Sequence, residues 1–453
     1  MKYSNKLLLL SILFITGCNN NTTSESSSSG IYSSSESIKD NTSVEENGYS
    51  IINTNADLNI LNKNEGLTPS IGKANILVIP VHFKNVKDKI DTDYLQKAFN
   101  SKNDESLEWV SVSEFFEKSS YGKLDISFDI QNVYTTLQTT TYYGSISNYV
   151  DASNMILNEA LKYYEDNNLV DFTKYDANND GYIDGIIMVN DAPMDVNRKN
   201  DLWWAYTTYY SDKTKTYGNK KICSNVFATR DFFTFDGASC DTHTIVHEIT
   251  HMFGIDDYYD YNVSAGTSIG GLGWADLMDH DTKGDHNSFT KSLLNWTTNP
   301  YLIDGSKDEV TIKLKPFESS GEYIILANDF DMSKGLYQEY FALEYYTNTG
   351  LNTKDKLFGV DGIRMLHLKA DTKKDGTFKY NNSSTAYKII SQITTSNGDT
   401  YLSDSSKADD TTLFLSNEKL EKVKYYDETP LRYNFVIDSL DVKEATITIK
   451  KTY

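Results

Sequence analysis

The chain has 453 residues, 39% of them hydrophobic, which is enough for two or three domains with cores of their own. Against 43 Lys and Arg stand 64 Asp and Glu, and the formal charge of −21 excludes nucleic acid as a partner, because phosphate binding rests on basic side chains. The same acidity suits calcium binding and solubility, and 33 tyrosines suit aromatic-rich strands and binding faces.

Residues 1–18 read as an export signal. Lys2 and Lys6 give a positive start, Leu7 to Ile15 an apolar run too short to span a bilayer, and Ile15-Thr-Gly-Cys18 a small-residue cleavage site. A cysteine directly after such a site resembles the bacterial lipobox, so Cys18 is expected to be lipidated. That would tether the protein through an N-terminal lipid anchor to the extracellular face of the bacterial cell membrane, from which it could be shed. Residues 19–70 are rich in Ser, Asn, Thr and Glu, too polar to offset their ordering entropy, and are expected to form a disordered tether.

Order is expected from residue 71. The apolar run Asn75 to Phe83 predicts a central strand. Helical spacing follows at Asp91 to Ser101 and Ser113 to Ser119, then a turn at Tyr121-Gly122-Lys123 into a strand over Leu124 to Ile130. Asp151 to Asn167 reads as an amphipathic helix. Asp176-Ala-Asn-Asn-Asp-Gly-Tyr-Ile-Asp184 spaces acidic and amide oxygens as an EF-hand calcium loop does, but its twelfth position is Ile187 rather than Glu. It therefore predicts a Ca²⁺ loop leading into a strand at Ile186 to Val189, with Asp176, Asn178, Asp180 and Asp184 as ligands; an acidic turn held by Asx hydrogen bonds is the other reading. Leu202-Trp-Trp-Ala-Tyr206 is aromatic enough for a cleft but better suited to a packed strand. Cys223 and Cys240 leave a disulfide open, since its Cα separation is not legible from sequence.

His247-Glu-Ile-Thr-His-Met-Phe-Gly-Ile-Asp-Asp257 is the stretch on which the chemistry turns. Two histidines four apart stack on one helix face and can hold one Zn²⁺, while Glu248 sits where a general base can reach an activated water. Gly254 ends the helix by turning left-handed, and the helix is expected to begin at Asp241 or Thr242. Five of the seven histidines, at 243, 247, 251, 280 and 286, fall in this region, and His243 is read as structural or as a support behind the ligands rather than as a ligand itself. Leu277-Met278 suggests a Met turn beneath the metal, and Asn287 to Trp296 a further helix. Beyond residue 300, alternation at Val310, Ile312 and Leu314 and at Ile447 and Ile449 predicts a β-rich, sandwich-like domain over 301–453, after a catalytic unit at 71–300.

Several of these stretches together resemble the immune inhibitor A family of secreted bacterial zinc metallopeptidases. They are Ile76 to Phe83, Phe115-Phe116 with Ser119 to Lys123, the loop at Asp176, the zinc motif extended through Asp260, Leu277-Met278, Glu339 to Glu344, and Gly362-Ile363-Arg364 through His367. The resemblance spans roughly 70–370. It implies an α+β chain with a zincin-like catalytic domain, peptide-bond hydrolysis outside the cell, and a supporting Ca²⁺. It also implies a zinc-binding Glu on the helix after the Met turn, where this chain carries Thr290. Two residues compete for the third ligand. Asp257 follows Gly254 at a position that many such motifs use. His286, if it opens the next helix, lies one turn from Thr290, and this candidate is favoured. The chain is thus expected to be a zinc endopeptidase with protein or peptide substrates, against two rivals: an adhesin on a peptidase-like scaffold, and a zinc hydrolase acting on something other than peptides.

Overall fold

The computed structural model describes residues 47–52, 65–234, 239–261, 270–280, 282–297, 300–394, 402 and 406–452. It is a mixed α+β chain with several sheets and few helices. Cys18, and with it the expected export signal, lies outside the described residues.

One sheet holds the strands in the order Leu124–Ile130, Gly72–His82, Ile186–Asn190, Ser224–Thr229, Tyr206–Tyr209. The first four run parallel and the last antiparallel. Gly72–His82 is central because its apolar run has no polar face to give to water. Ile76 and Val78 enter one core, while Leu77, Ile79 and Val81 enter the core on the opposite face. Pro80 sits in this central strand without breaking a ladder on its outer side: pairing to Leu124–Ile130 ends at Val78, and pairing to Tyr134 resumes at Val81.

The helices start where short polar side chains precede apolar periodicity. Asp91 caps Thr92–Asn100, Ser111 caps Val112–Ser119 and Asn148 caps Tyr149–Asp166, each accepting from main-chain N–H groups of the first turn. Leu202 and Tyr206 lie in the one core and Trp204 in the other, which makes that aromatic stretch packing rather than cleft wall.

The C-terminal part holds a six-stranded sheet, Tyr49–Ile51, Tyr301–Ile303, Tyr323–Leu326, Glu339–Tyr346, Gly362–Lys369 and Ile390–Ile393, and a four-stranded antiparallel sheet. Ile324, Phe341, Leu343 and Met365 pack against Val310, Ile312, Phe435 and Ile447, a sheet-on-sheet core of the kind that alternation predicts. The other face of the six-stranded sheet, including Ile325, Ala342 and Leu366, belongs to the same core as the helix His243–Met252. The polar segment expected to be a tether as far as residue 70 needs correcting at its end. Tyr49–Ile51 pairs with Tyr301–Ile303, and Thr68 and Ser70 are buried. Pairing with an existing sheet edge supplies the hydrogen bonds that local composition could not signal.

Candidate metal centre

The helix His243–Met252 has Thr242 at its N-cap, but the capping side chain is that of Asp241, whose Oδ1 accepts the His243 N–H at 3.2 Å. Every residue from Thr244 to Met252 is buried, as it must be for a helix packed between a sheet and the C-terminal part. Gly254, at φ 89°, makes the left-handed turn expected of it. That turn brings Asp257 back beside the helix. Its Oδ1 lies 3.0 Å from His247 Nε2 and 3.2 Å from His251 Nε2.

The outer nitrogens fix the tautomers. His247 Nδ1 meets the Leu277 carbonyl at 2.7 Å, and His251 Nδ1 meets the Ile255 carbonyl at 2.6 Å. A carbonyl only accepts, so each Nδ1 carries the proton, and in the neutral ring each Nε2 presents a lone pair to Asp257. Three acceptor atoms at that spacing repel unless a positive charge, a metal ion or the proton of an imidazolium, lies among them. Ligand bonds of about 2.0–2.1 Å to tetrahedral zinc give ligand–ligand edges of roughly 3.3 Å, close to the distances seen. The donor set therefore fits a divalent cation of the zinc type. Among the described residues, these are the only three His, Cys, Asp or Glu side chains gathered closely enough to hold one. Burial alone would lower the His251 pKa, yet the Asp257 charge and contact outweigh it and the net shift is upward, which again marks a place that favours positive charge.

Glu248 is buried beside the pair. Burial raises its pKa, and the two histidines pull it back. Thr207 Oγ1, on the strand Tyr206–Tyr209, lies 2.6 Å from the Glu248 main-chain oxygen and 3.1 Å from Oε2. Tyr261 donates its hydroxyl to Asp257 Oδ2 at 2.8 Å, and burial followed by the Asp257 charge keeps that hydroxyl protonated. The turn Asp276–Asp279 holds Leu277 in place: Asp276 accepts from Met278 N at 2.8 Å, and the Met278 carbonyl accepts from Tyr258 N at 2.7 Å.

The structure does not bring His286, the favoured candidate for third ligand, to His247 and His251; Asp257 stands there instead. The helix is Ser288–Leu293 with Asn287 as its N-cap, so His286 precedes it and does not share a face with Thr290. Its Nε2 faces Thr250 Oγ1 at 3.2 Å, and its ring stands edge-on to Phe115. Burial holds it far below the usual histidine range, so it is a neutral core residue. Thr290 contacts the Tyr258 hydroxyl at 2.8 Å. Cys223 and Cys240 are free and buried, which closes the disulfide question.

At the acidic loop, Asp180 N reaches Asp176 Oδ1 at 2.9 Å, Gly181 N reaches Asp176 Oδ2 at 3.1 Å, and Tyr182 N reaches Asp180 Oδ1 at 2.8 Å. Asn178 contributes its Oδ1 to Asp180 N at 3.2 Å. Asp184 turns away to accept from Asn75 N at 2.8 Å and from Ala177 N, and burial pushes its pKa up to about 6. Lys220 Nζ sits 2.5 Å from Asp176 Oδ2. The geometry is that of an Asx-held turn with a cation supplied by the chain.

Sequence reasoning missed Thr207, for which a strand position carries no signal. It also missed the role of Tyr261, although its place four residues after Asp257 was visible. No protein-family model matches the chain, and no curated protein matches it.

Proposed function

We propose that the protein is a zinc-dependent endopeptidase with a zincin-like catalytic domain, held outside the cell by its lipidated N-terminus and acting on extracellular proteins or peptides. The observation that carries the reading is the convergence of His247 Nε2, His251 Nε2 and Asp257 Oδ1, with Glu248 next to the first of them. A bound Zn²⁺ would supply a polarised scissile carbonyl and a water acidified to a pKa of about 7. Glu248 takes the proton of the attacking water at its carboxylate and returns it to the leaving amine, and Thr207 keeps that carboxylate in place. Leu277 and Ile255 hold the imidazoles in the ligating tautomer. Tyr261 steadies Asp257 from the far side.

The peptide assignment draws support from the strand Tyr206–Tyr209. Among the described residues it is laddered on one side only, to Ser224–Thr229, and it touches the helix through Thr207 and through Tyr209, which donates to the His251 carbonyl at 2.8 Å. An extended chain could add along its other edge. A Ca²⁺ at the acidic loop belongs to the same proposal, on the condition that it displaces Lys220 from Asp176.

The test is cleavage of casein by the purified protein. Loss of cleavage with a chelator and recovery with zinc are the expected results. Undiminished cleavage in chelator, with the metal shown to be gone, removes the proposal.

A further inference from the structure

A groove of about 210 Å³ opens one helical turn from the metal centre, several times the roughly 30 Å³ that one water occupies. His243, Trp274, His280 and the lysines 283, 354 and 356 line it, and among the described residues no carboxylate does. In a chain with 64 acidic and 43 basic side chains, this is a local reversal of sign.

The reversal is built in. Lys354-Asp355-Lys356 alternates exposed, buried, exposed, and Asp355 is pinned inward by Leu357 N at 2.9 Å and the Tyr346 hydroxyl at 3.1 Å, which leaves both lysines outward. Lys283 is held on Asp241 at 2.6 Å, with Glu108 at 3.8 Å. That ion pair absorbs its charge, so among the lining residues the net positive charge is carried by Lys354 and Lys356. The aromatic wall is fixed by an unusual backbone. Trp274 is a bulky residue at φ 72°, held there by its N–H on the buried Asp279 carboxylate at 2.5 Å. Its ring packs against His280 at 4.0 Å, and Lys407 Nζ lies 3.8 Å from its centre on a cation–π contact.

The position relates the groove to the metal. His243 and His247 share a helix face, about 6 Å apart along the axis. An extended peptide advances about 3.3 Å per residue, so the groove lies roughly two residues from the bond that Glu248 addresses. We infer that this groove selects substrates carrying a carboxylate about two residues from the scissile bond, either an Asp or Glu side chain or the chain's own C-terminus, with Lys354 and Lys356 determining the preference. The inference rests on the peptidase reading above.

The experiment compares peptides that carry Glu or Gln at each position around the cleaved bond, each with a free and an amidated C-terminus. Turnover is measured on the wild type and binding on a Glu248→Gln background. Each is repeated with Lys354→Met/Lys356→Met and Lys354→Glu/Lys356→Glu, whose melting curves are checked against the parent. The expected result is a preference for the carboxylate of about five- to tenfold, abolished by the Met pair and reversed by the Glu pair. A preference in amidated peptides assigns the side chain, and one confined to free C-termini assigns the terminal carboxylate. Cleavage with no such preference in either assay overturns the groove and leaves the peptidase. Preferential binding without any cleavage leaves the groove and removes the peptidase, and absence of both removes both.

Discussion

At the helix His243–Met252, two ring nitrogens and a carboxylate oxygen face one another across 3.0 and 3.2 Å. At the loop Asp176–Asp184, each carboxylate is met by main-chain N–H groups, and Asp176 also by the Lys220 ammonium. Both stretches are spaced as metal-binding motifs. The first is a set of acceptors whose outer atoms are fixed by carbonyls, so that the centre calls for a positive charge, which a metal ion or an imidazolium proton supplies. The second is a set of acceptors the chain has already supplied with donors. Ligand spacing alone does not separate these cases; the groups that other elements bring to the motif do. Leu277 comes from thirty residues downstream of His247, and Lys220 from the strand Lys220–Ile222 that pairs beside the loop.

The widest separation between the two regions is expected in catalysis. Glu248→Gln should lower kcat/KM by about 10²- to 10⁴-fold while the protein keeps its metal, because the residue handles a proton and is not a ligand. Asp180→Ala, in the acidic loop, should leave kcat/KM within about a factor of two, as a substitution in an exposed turn outside the metal set does. Comparable losses in the two variants would merge the regions into one functional unit.

A smaller effect tests the loop itself. Lys220→Ala removes the cation from Asp176, so calcium has an acceptor to gain and none to compete with. Melting temperature in the presence of calcium should rise more in Lys220→Ala than in the wild type, in proportion to the logarithm of calcium concentration. Equal shifts in the two proteins would mean that Lys220 does not guard the loop.

Much of this arrangement was legible beforehand. The strand at Gly72–His82, the capped helices and the alternation at Val310 to Leu314 follow from local pattern, and so does the pairing of His247 with His251 on one helix face. Glu248 was legible for the same reason. What escaped was decided by distant segments. His286 carries the right chemistry, but the start of its helix is set by Asn287, whose side chain caps Thr290 N at 3.0 Å and leaves His286 outside the helical register. Tyr49–Ile51 reads as polar linker because its partner strand lies some 250 positions away, as the pairing of Ser50 with Leu302 shows. Thr207 faces Glu248 only because the strand Tyr206–Tyr209 runs antiparallel at the sheet edge.

Whether His247, His251 and Asp257 form the metal-binding set is decided by the zinc content of purified wild type, Asp257→Ala and His286→Ala by elemental mass spectrometry, each shown to be folded by its melting curve. One zinc per chain is expected in the wild type and in His286→Ala, with the latter less stable by about 2–5 kcal/mol for the cavity left in its aromatic surroundings. Asp257→Ala is expected to retain little or none. Zinc retained by Asp257→Ala and lost from His286→Ala would remove Asp257 from the set and put His286 in its place.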